Sequence, residues 1–341
     1  MKDNPLILGI ETSCDETSAA VLRGNELLSN VISSQIDVHR RFGGVVPEIA
    51  SRNHLTSILP VIDEALKNAG ADKTELDAIG VTYGAGLVGA LLVGVSAAKA
   101  LAYSLGIPLY AVNHIEAHIA ANYLSEPALE PPFLAVVASG GHTGVARIDG
   151  LNDYTMISST TDDAIGEAFD KVARAVGLPY PGGPEIDRRA KQGKPSIAFI
   201  DRSGKKHNGN ELSYSGLKTA VINYLHNLEQ RGEQPNIDDI CASFQKTAVD
   251  MLVDSAMYTV KKTGIKTVVA AGGVSANSYL RERLKIEGVR NGLDVYFPPM
   301  SLCTDNAAMI AVRARDMIKE GIAPAALDLN AVSYLKLKSE V

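Results

Sequence analysis

At 341 residues the chain is too long for one typical core, and its 46% hydrophobic content excludes a disordered protein. A net charge of −6 argues against a dedicated nucleic-acid binder, so any such contact must be a local patch or be shared with partners. The three cysteines, Cys14, Cys241 and Cys303, form no C-x-x-C pair and fit a reducing compartment.

Leu6–Ile10 reads as a strand buried on both faces, Glu11–Thr17 as a polar turn, and Ser18–Leu22 and Leu27–Ser34 as strands. Apolar residues from Ile49 to Leu66 recur at helical spacing, closed by Gly70. Strands at Ala78–Thr82 and Leu109–Val112 flank a helix over Leu87–Leu105. The glycine-rich apolar stretch Gly84–Ala98 is too short to cross a bilayer and is expected to be a buried helix. No signal-peptide pattern precedes it, so a cytoplasmic location without membrane contact is expected.

After Pro127, Pro131 and Pro132 the pattern restarts, with strands at Phe133–Ala138, Val145–Ile148 and Tyr154–Ser158. A helix over Asp162–Val176 is expected, capped by Thr161 or Asp162 and stopped at Gly177. A polar insert over 178–235 contains one helix after Tyr214. Then follow a helix at Ile237–Lys262, strand Thr267–Ala271, helix Ala276–Leu284, strand Asp294–Phe297 and a last helix over Asp305–Glu320. Three strands, helix, strand, helix, strand thus occur twice, which predicts a duplicated α/β fold. The layout resembles the actin/Hsp70/sugar-kinase (ribonuclease H-like) superfamily. That resemblance implies one lobe over 1–128, a second over 129–304 that includes the insert, and residues 305–325 packing back on the first. It also implies a nucleotide cleft between the lobes, with the turn after the first strand of each holding phosphate.

His114 and His118 lie four residues apart, about 40° apart around a helix, so their imidazoles share a face. Alone, the pair is either half a metal site or two satisfied histidines. Glu116 is about 200° round from His114, which argues against a zinc protease. Asp305, near the start of the last helix, is a helix cap or a third ligand. Ser139-Gly-Gly-His-Thr143 follows a buried strand; its glycines let backbone N–H groups approach an anion, and the hydroxyls of Ser139 and Thr143 add donors. Gly272–Asn277 joins a strand to a helix and leaves Asn277 available to a nucleotide. Asp163, Glu167 and Asp170 recur at helical spacing, and Pro181–Asp187 is a glycine turn ending in an acid; either could hold a polar substrate. Lys and Arg cluster at Arg188–Lys194, Lys205–Lys206 and Arg281–Lys285, each an ordinary solvated face or part of an RNA surface.

Taken together, the chain resembles the tRNA N6-adenosine threonylcarbamoyltransferases, the TsaD-type enzymes, in their bacterial branch. The resemblance rests on Gly9–Thr17, Asn113–His118, Ser139–Thr143, Gly166–Lys171, Tyr214–Thr219, Gly272–Asn277 and Cys303–Asn306. It implies transfer of a threonylcarbamoyl group from threonylcarbamoyl-adenylate to N6 of adenosine 37 in tRNAs reading codons that begin with A, with release of AMP. It implies one divalent metal, iron before zinc, on His114, His118 and Asp305. It implies an adenylate site at Val137, Ala138, Ser139, Gly140, Gly141, Asp170, Gly183, Asp187 and Asn277. Glu11, Asp15 and Asp170 are the candidate bases. Relatives outside this branch carry Tyr and Asn at the positions of Val137 and His142, so a fourth metal ligand is not implied here. Implied partners are tRNA, a non-catalytic TsaB-like paralogue and a small TsaE-like ATPase. The rival activities are a metal-dependent O-carbamoyltransferase and an actin-like ATPase or kinase; a non-enzymatic nucleotide-binding scaffold is a third alternative.

Overall fold

A computed structural model describes residues 4–200 and 212–339. The chain divides into two compact units. The first takes the chain to Pro131, then Asp149–Tyr154 and Pro298–Lys338; the second takes Pro132–Ile148 and Thr155–Phe297.

The first unit opens with β1 (Leu6–Glu11), β2 (Glu16–Arg23) and β3 (Glu26–Ser34), followed by α1 (Ile36–Arg40) and α2 (Pro47–Ala69). Pro47 starts α2, where its missing N–H costs nothing, and Gly70 ends it with φ 63°. Then come β4 (Ala78–Gly84), α3 (Val88–Leu105), β5 (Leu109–Asn113), α4 (His114–Ala120) and α5 (Asn122–Ser125). The sheet order is β3-β2-β1-β4-β5. β1 pairs antiparallel with β2 and parallel with β4, and all six of its residues are buried.

The second unit repeats the plan with β6 (Phe133–Ala138), β7 (Thr143–Gly150), β8 (Asp153–Ser159), α6 (Ile165–Ala175), α7 (Gly182–Ala190), α8 (Tyr214–Gln230), α9 (Ile237–Thr263), β9 (Thr267–Ala271), α10 (Ser278–Asn291) and β10 (Asp294–Tyr296). These strands run β10-β9-β6-β7-β8, the same order as in the first sheet read from the other edge. The duplicated α/β fold is therefore present in five strands of each sheet, and the second sheet carries a sixth, Lys338–Ser339.

The last helix, α11 (Ala307–Lys319), packs on β1, β2 and β4 of the first unit. It lies so close that a Cβ on Gly9 would collide with the Ala307 carbonyl and the Ala311 amide. Glycine at position 9 is thus what lets α11, and Asp305 just before it, reach this sheet.

Several expected elements are corrected. α3 is not wholly buried: Ala90, Leu91, Gly94, Val95, Ala98 and Ala102 face the core, while Val88, Leu92 and Tyr103 are exposed. It runs for 18 residues with mean hydropathy 1.6, so by length and composition it is apolar enough to cross a membrane. Among its described residues the insert holds two helices, where one is expected. The sequence predicts a turn at α7 because Gly182, Gly183 and Pro184 are poor helix interior residues, yet they fall in the first turn, where backbone N–H groups have no partner within the helix. α6 starts at Ile165, three residues later than expected, and Asp162 caps a different helix. Its carboxylate accepts from Ser213 Oγ and from the backbone N–H groups of Tyr214 and Ser215 at the start of α8.

Candidate functional site

β5 leads directly into α4, whose N-terminus is closed by the Asn113 side chain accepting from Ile115 N–H at 2.9 Å. The two turns of α4 place His114 and His118 on one side with their rings 4.6 Å apart. Asp305 arrives from the other end of the sequence. Its Oδ1 lies 3.1 Å from His118 Nε2 and 3.5 Å from His114 Nε2. Asp305 is not the helix cap: the Asn306 side chain takes that position, accepting from Met309 N–H. The carboxylate of Asp305 is thereby left to the histidines.

The three ligand atoms lie within 4.8 Å of one another. Bonds of about 2.1 Å to one tetrahedral ion would hold ligand atoms about 3.4 Å apart. The observed separations and the two-nitrogen, one-carboxylate donor set therefore fit a divalent cation. Both histidines are nearly buried, at 8% and 2% exposure.

Glu11 sets the orientation of His114. Its Oε2 lies 3.2 Å from His114 Nδ1 and accepts from Thr82 Oγ1 at 2.6 Å; its Oε1 accepts from the Ser13 backbone N–H. Holding the proton on Nδ1 aims Nε2 at Asp305, the arrangement found behind metal-ligating histidines. Burial alone pulls the His114 pKa down, but Asp305 and Glu11 outweigh it and push the imidazole up to about 9. The pocket thus accommodates positive charge at neutral pH, as a proton or as a bound cation. As a base for the reaction Glu11 is badly placed: it has no exposed surface, and both oxygens are engaged. Asp15 is 5% exposed in the same turn. Next to it, Glu16 is pushed up to about 10 by burial and by Asp15 and Asp305, so it is protonated at neutral pH.

The second unit gathers the remaining predicted residues in a closed circuit. The Ser139–Gly140 backbone abuts Gly166 at the start of α6, where a Cβ would lie 2.7 Å from the Ser139 carbonyl. Asp170 on α6 accepts from Gly182 N–H at the start of α7 at 2.7 Å. Asp187 on α7 accepts from Ser278 Oγ at the start of α10 at 2.7 Å. Asn277 precedes α10, and Gly272 returns to Ala138, whose carbonyl would sit 2.5 Å from a Cβ there. Gly272 has φ 89°, which a side chain rarely adopts. At Gly140, Gly141, Gly183 and Gly273 a Cβ would meet nothing within 4 Å. The backbone at these four glycines is therefore open to approach.

Some expected contacts are corrected. The Ser139 and Thr143 hydroxyls serve the turn itself: Ser139 Oγ accepts from His142 N–H at 3.0 Å, and Thr143 Oγ1 accepts from Ile165 N–H at 2.8 Å, capping α6. Val137 and Ala138 bury their side chains in the sheet and offer only backbone. Asn277 caps α10 through Oδ1, and its Nδ2 donates to Gln245 Oε1 at 2.9 Å. Gln245, like Thr82, lies far from its partner in sequence, and no local pattern marks it. The basic clusters are largely neutralised: Arg188 pairs with Glu185, Arg189 with Asp238, Lys191 with Asp187, and Arg283 with Asp250 and Glu287. Lys205–Lys206 lies outside the described residues.

The family model described as TsaD, tRNA N6-adenosine threonylcarbamoyltransferase, matches residues 26–312. A Clostridium perfringens protein named tRNA N6-adenosine threonylcarbamoyltransferase is 51% identical over 337 residues, 98% of this chain and 99% of that one. The chain belongs to this family. A Clostridium botulinum member of the same name is 50% identical over 338 residues, 99% of each chain. Two solved structures share the fold alone. Full-length HypF, in its phosphate- and nucleotide-bound form, aligns with TM-score 0.63 and 18% identity over 95% of this chain and 48% of that one, so the present chain spans about half its length. A ROK hexokinase from Thermus thermophilus aligns with TM-score 0.50 and 16% identity over 93% of this chain and 99% of that one.

Proposed function

We propose that this chain transfers the threonylcarbamoyl group of threonylcarbamoyl-adenylate to N6 of adenosine 37 in tRNA, releasing AMP. Membership of the transferase family supports the reaction. The observation that carries the chemistry is the meeting of His118 and Asp305, 187 residues apart in sequence, at 3.1 Å. His114, His118 and Asp305 would hold one divalent cation; the donor set suits iron or zinc, and the family resemblance puts iron first. When bound, it supplies Lewis acidity for a carbonyl or phosphate oxygen. Glu11 keeps a proton on His114 Nδ1 and so reserves Nε2 for the cation. In the second unit, the glycine turns at 140–141 and 272–273 would take the adenylate against the backbone. Asp170 and Asp187 fix the helices that bring Gly183 and Asn277 to it. The exposed Leu55 and Leu59 of α2 give the expected TsaB-like and TsaE-like partners an apolar surface to use.

The test is mass analysis of adenosine 37 after tRNA is incubated with the chain and threonylcarbamoyl-adenylate, and with threonine, bicarbonate, ATP and both partners. Modified adenosine is expected, and it should vanish when His114 and His118 are both alanine. Full modification by that double variant would remove the cation from the reading.

A further inference from the structure

α4 has only seven residues. Six of the seven are buried, the helix packs on α11, and Glu116 is the half-buried exception. Its histidines face Asp305, while Glu116 points about 200° away from His114. There Glu116 meets Arg313 of α11: Arg313 Nε and Nη2 each lie 2.8 Å from Glu116 Oε2. Arg313 is 2% exposed. Its Nη2 also donates to Asn152 Oδ1, and its guanidinium carbon lies 5.1 Å from the centre of the Tyr154 ring. The helix that carries Arg313 is the one Asp305 leads into.

We propose that the Glu116–Arg313 pair is a strut that sets the rotation of α4 against α11, and with it the spacing of His114 and His118 from Asp305. The inference rests on the reading of those three residues as cation ligands. A 20° turn of α4 would sweep a side-chain tip at ~6 Å radius through about 2 Å. Metal–ligand distances tolerate only about 0.2 Å. A planar guanidinium bonded to a carboxylate and an amide resists such a turn better than a single-point ammonium would. Glu116 and Arg313 are positioning residues, since neither faces the ligand atoms.

Co²⁺ is the probe, added to the full chain and followed by equilibrium dialysis and by its visible absorption. The proposal expects Glu116→Ala to keep the wild-type far-ultraviolet circular dichroism yet weaken Co²⁺ binding by roughly tenfold or more and shift the absorption bands. Glu116→Gln keeps an acceptor oxygen for Arg313 and should recover much of the affinity. Wild-type affinity and spectrum in a folded Glu116→Ala protein would overturn the strut. If that variant does not fold, Arg313→Lys decides with the same two measurements: it keeps the charge and stem but loses the fork, and unchanged binding there overturns the proposal equally. Equal Co²⁺ binding by wild type and His114→Ala/His118→Ala would instead overturn the ligand reading itself, and the strut with it.

Discussion

In the first unit the turn after β1 turns side chains inward: Glu11 is fully buried against His114, and Ser13 and Thr82 close around it. In the second unit the corresponding turn after β6 is two glycines with open space over them, and its hydroxyls serve only to hold the turn. Both turns leave the end of the same strand in the same sheet order. One copy therefore gathers charged side chains at this turn, and the other leaves its backbone open there. The topology fixes where a site falls, and the residues of the first turn decide what that site can hold.

The largest test of this contrast is His114→Ala with His118→Ala. Transfer should fall roughly 10³-fold or more, as expected when a Lewis acid worth several kcal/mol is removed. The protein should still fold, with a lowered melting temperature, because His114→Ala leaves the buried Glu11 carboxylate without its partner. Normal turnover with the histidines gone would break the division of labour. Next in size is Glu11→Gln. The amide must present its NH₂ to a donor at one end, so His114 loses its fixed tautomer, and cation affinity should fall about 10- to 100-fold by dialysis. Unchanged affinity would mean that the buried carboxylate serves the fold alone.

The pattern of strands and helices was legible because it depends on local periodicity: β1 is buried at all six positions, and Gly70 and Gly106 end α2 and α3 in the left-handed conformation. The His114–His118 face was legible from helical spacing. What joined them was not. Asp305 meets His118 only because Gly9 lets α11 lie against β1, a contact between residues at opposite ends of the chain. Glu116 was set aside as facing the wrong way, and its partner Arg313 lies 197 residues later. Local spacing offers Thr161 or Asp162 as the cap of the nearest helix, whereas the Asp162 carboxylate caps one 52 residues away. Side-chain patterns report the secondary structure around a residue, whereas partners across the fold leave no mark near it.

A smaller effect tests the backbone half. Gln245→Leu removes the acceptor of Asn277 Nδ2, so the amide is held only through its Oδ1 cap on α10. The KM for threonylcarbamoyl-adenylate should rise about 5- to 10-fold, in line with one buried hydrogen bond, while Co²⁺ affinity in the first unit stays unchanged. A fall in cation affinity would show that the two sites are not separable. Gly272→Ala probes the same turn by strain: a Cβ at φ 89° and 2.5 Å from the Ala138 carbonyl should cost about 2–3 kcal/mol in denaturant unfolding. A cost below 1 kcal/mol would mean that the turn is softer than its geometry.

The smallest effect concerns Asp162 and acid. Burial would raise its pKa, but the hydrogen bonds from Ser213, Ser215, Tyr214 and Thr160 outweigh burial and hold the carboxylate below the ordinary range. A depressed folded-state pKa means that the stabilisation is present above the unfolded value and is lost as pH falls through the folded one. Attachment of α8 should therefore be intact at neutral pH and loosen only in strong acid, seen as faster amide exchange over Tyr214–Thr219 as pH is lowered below the ordinary carboxylate range, after correction for intrinsic exchange. In Asp162→Asn, which no longer titrates, that acid-dependent increase should disappear, and exchange at neutral pH should already be somewhat faster. The same acid dependence in the variant would assign it to Asp163, whose carboxylate also binds α8 through Lys218 at 2.7 Å. The Asp162→Asn/Lys218→Met pair then separates the two, because only the ion pair with Lys218 weakens further with added salt.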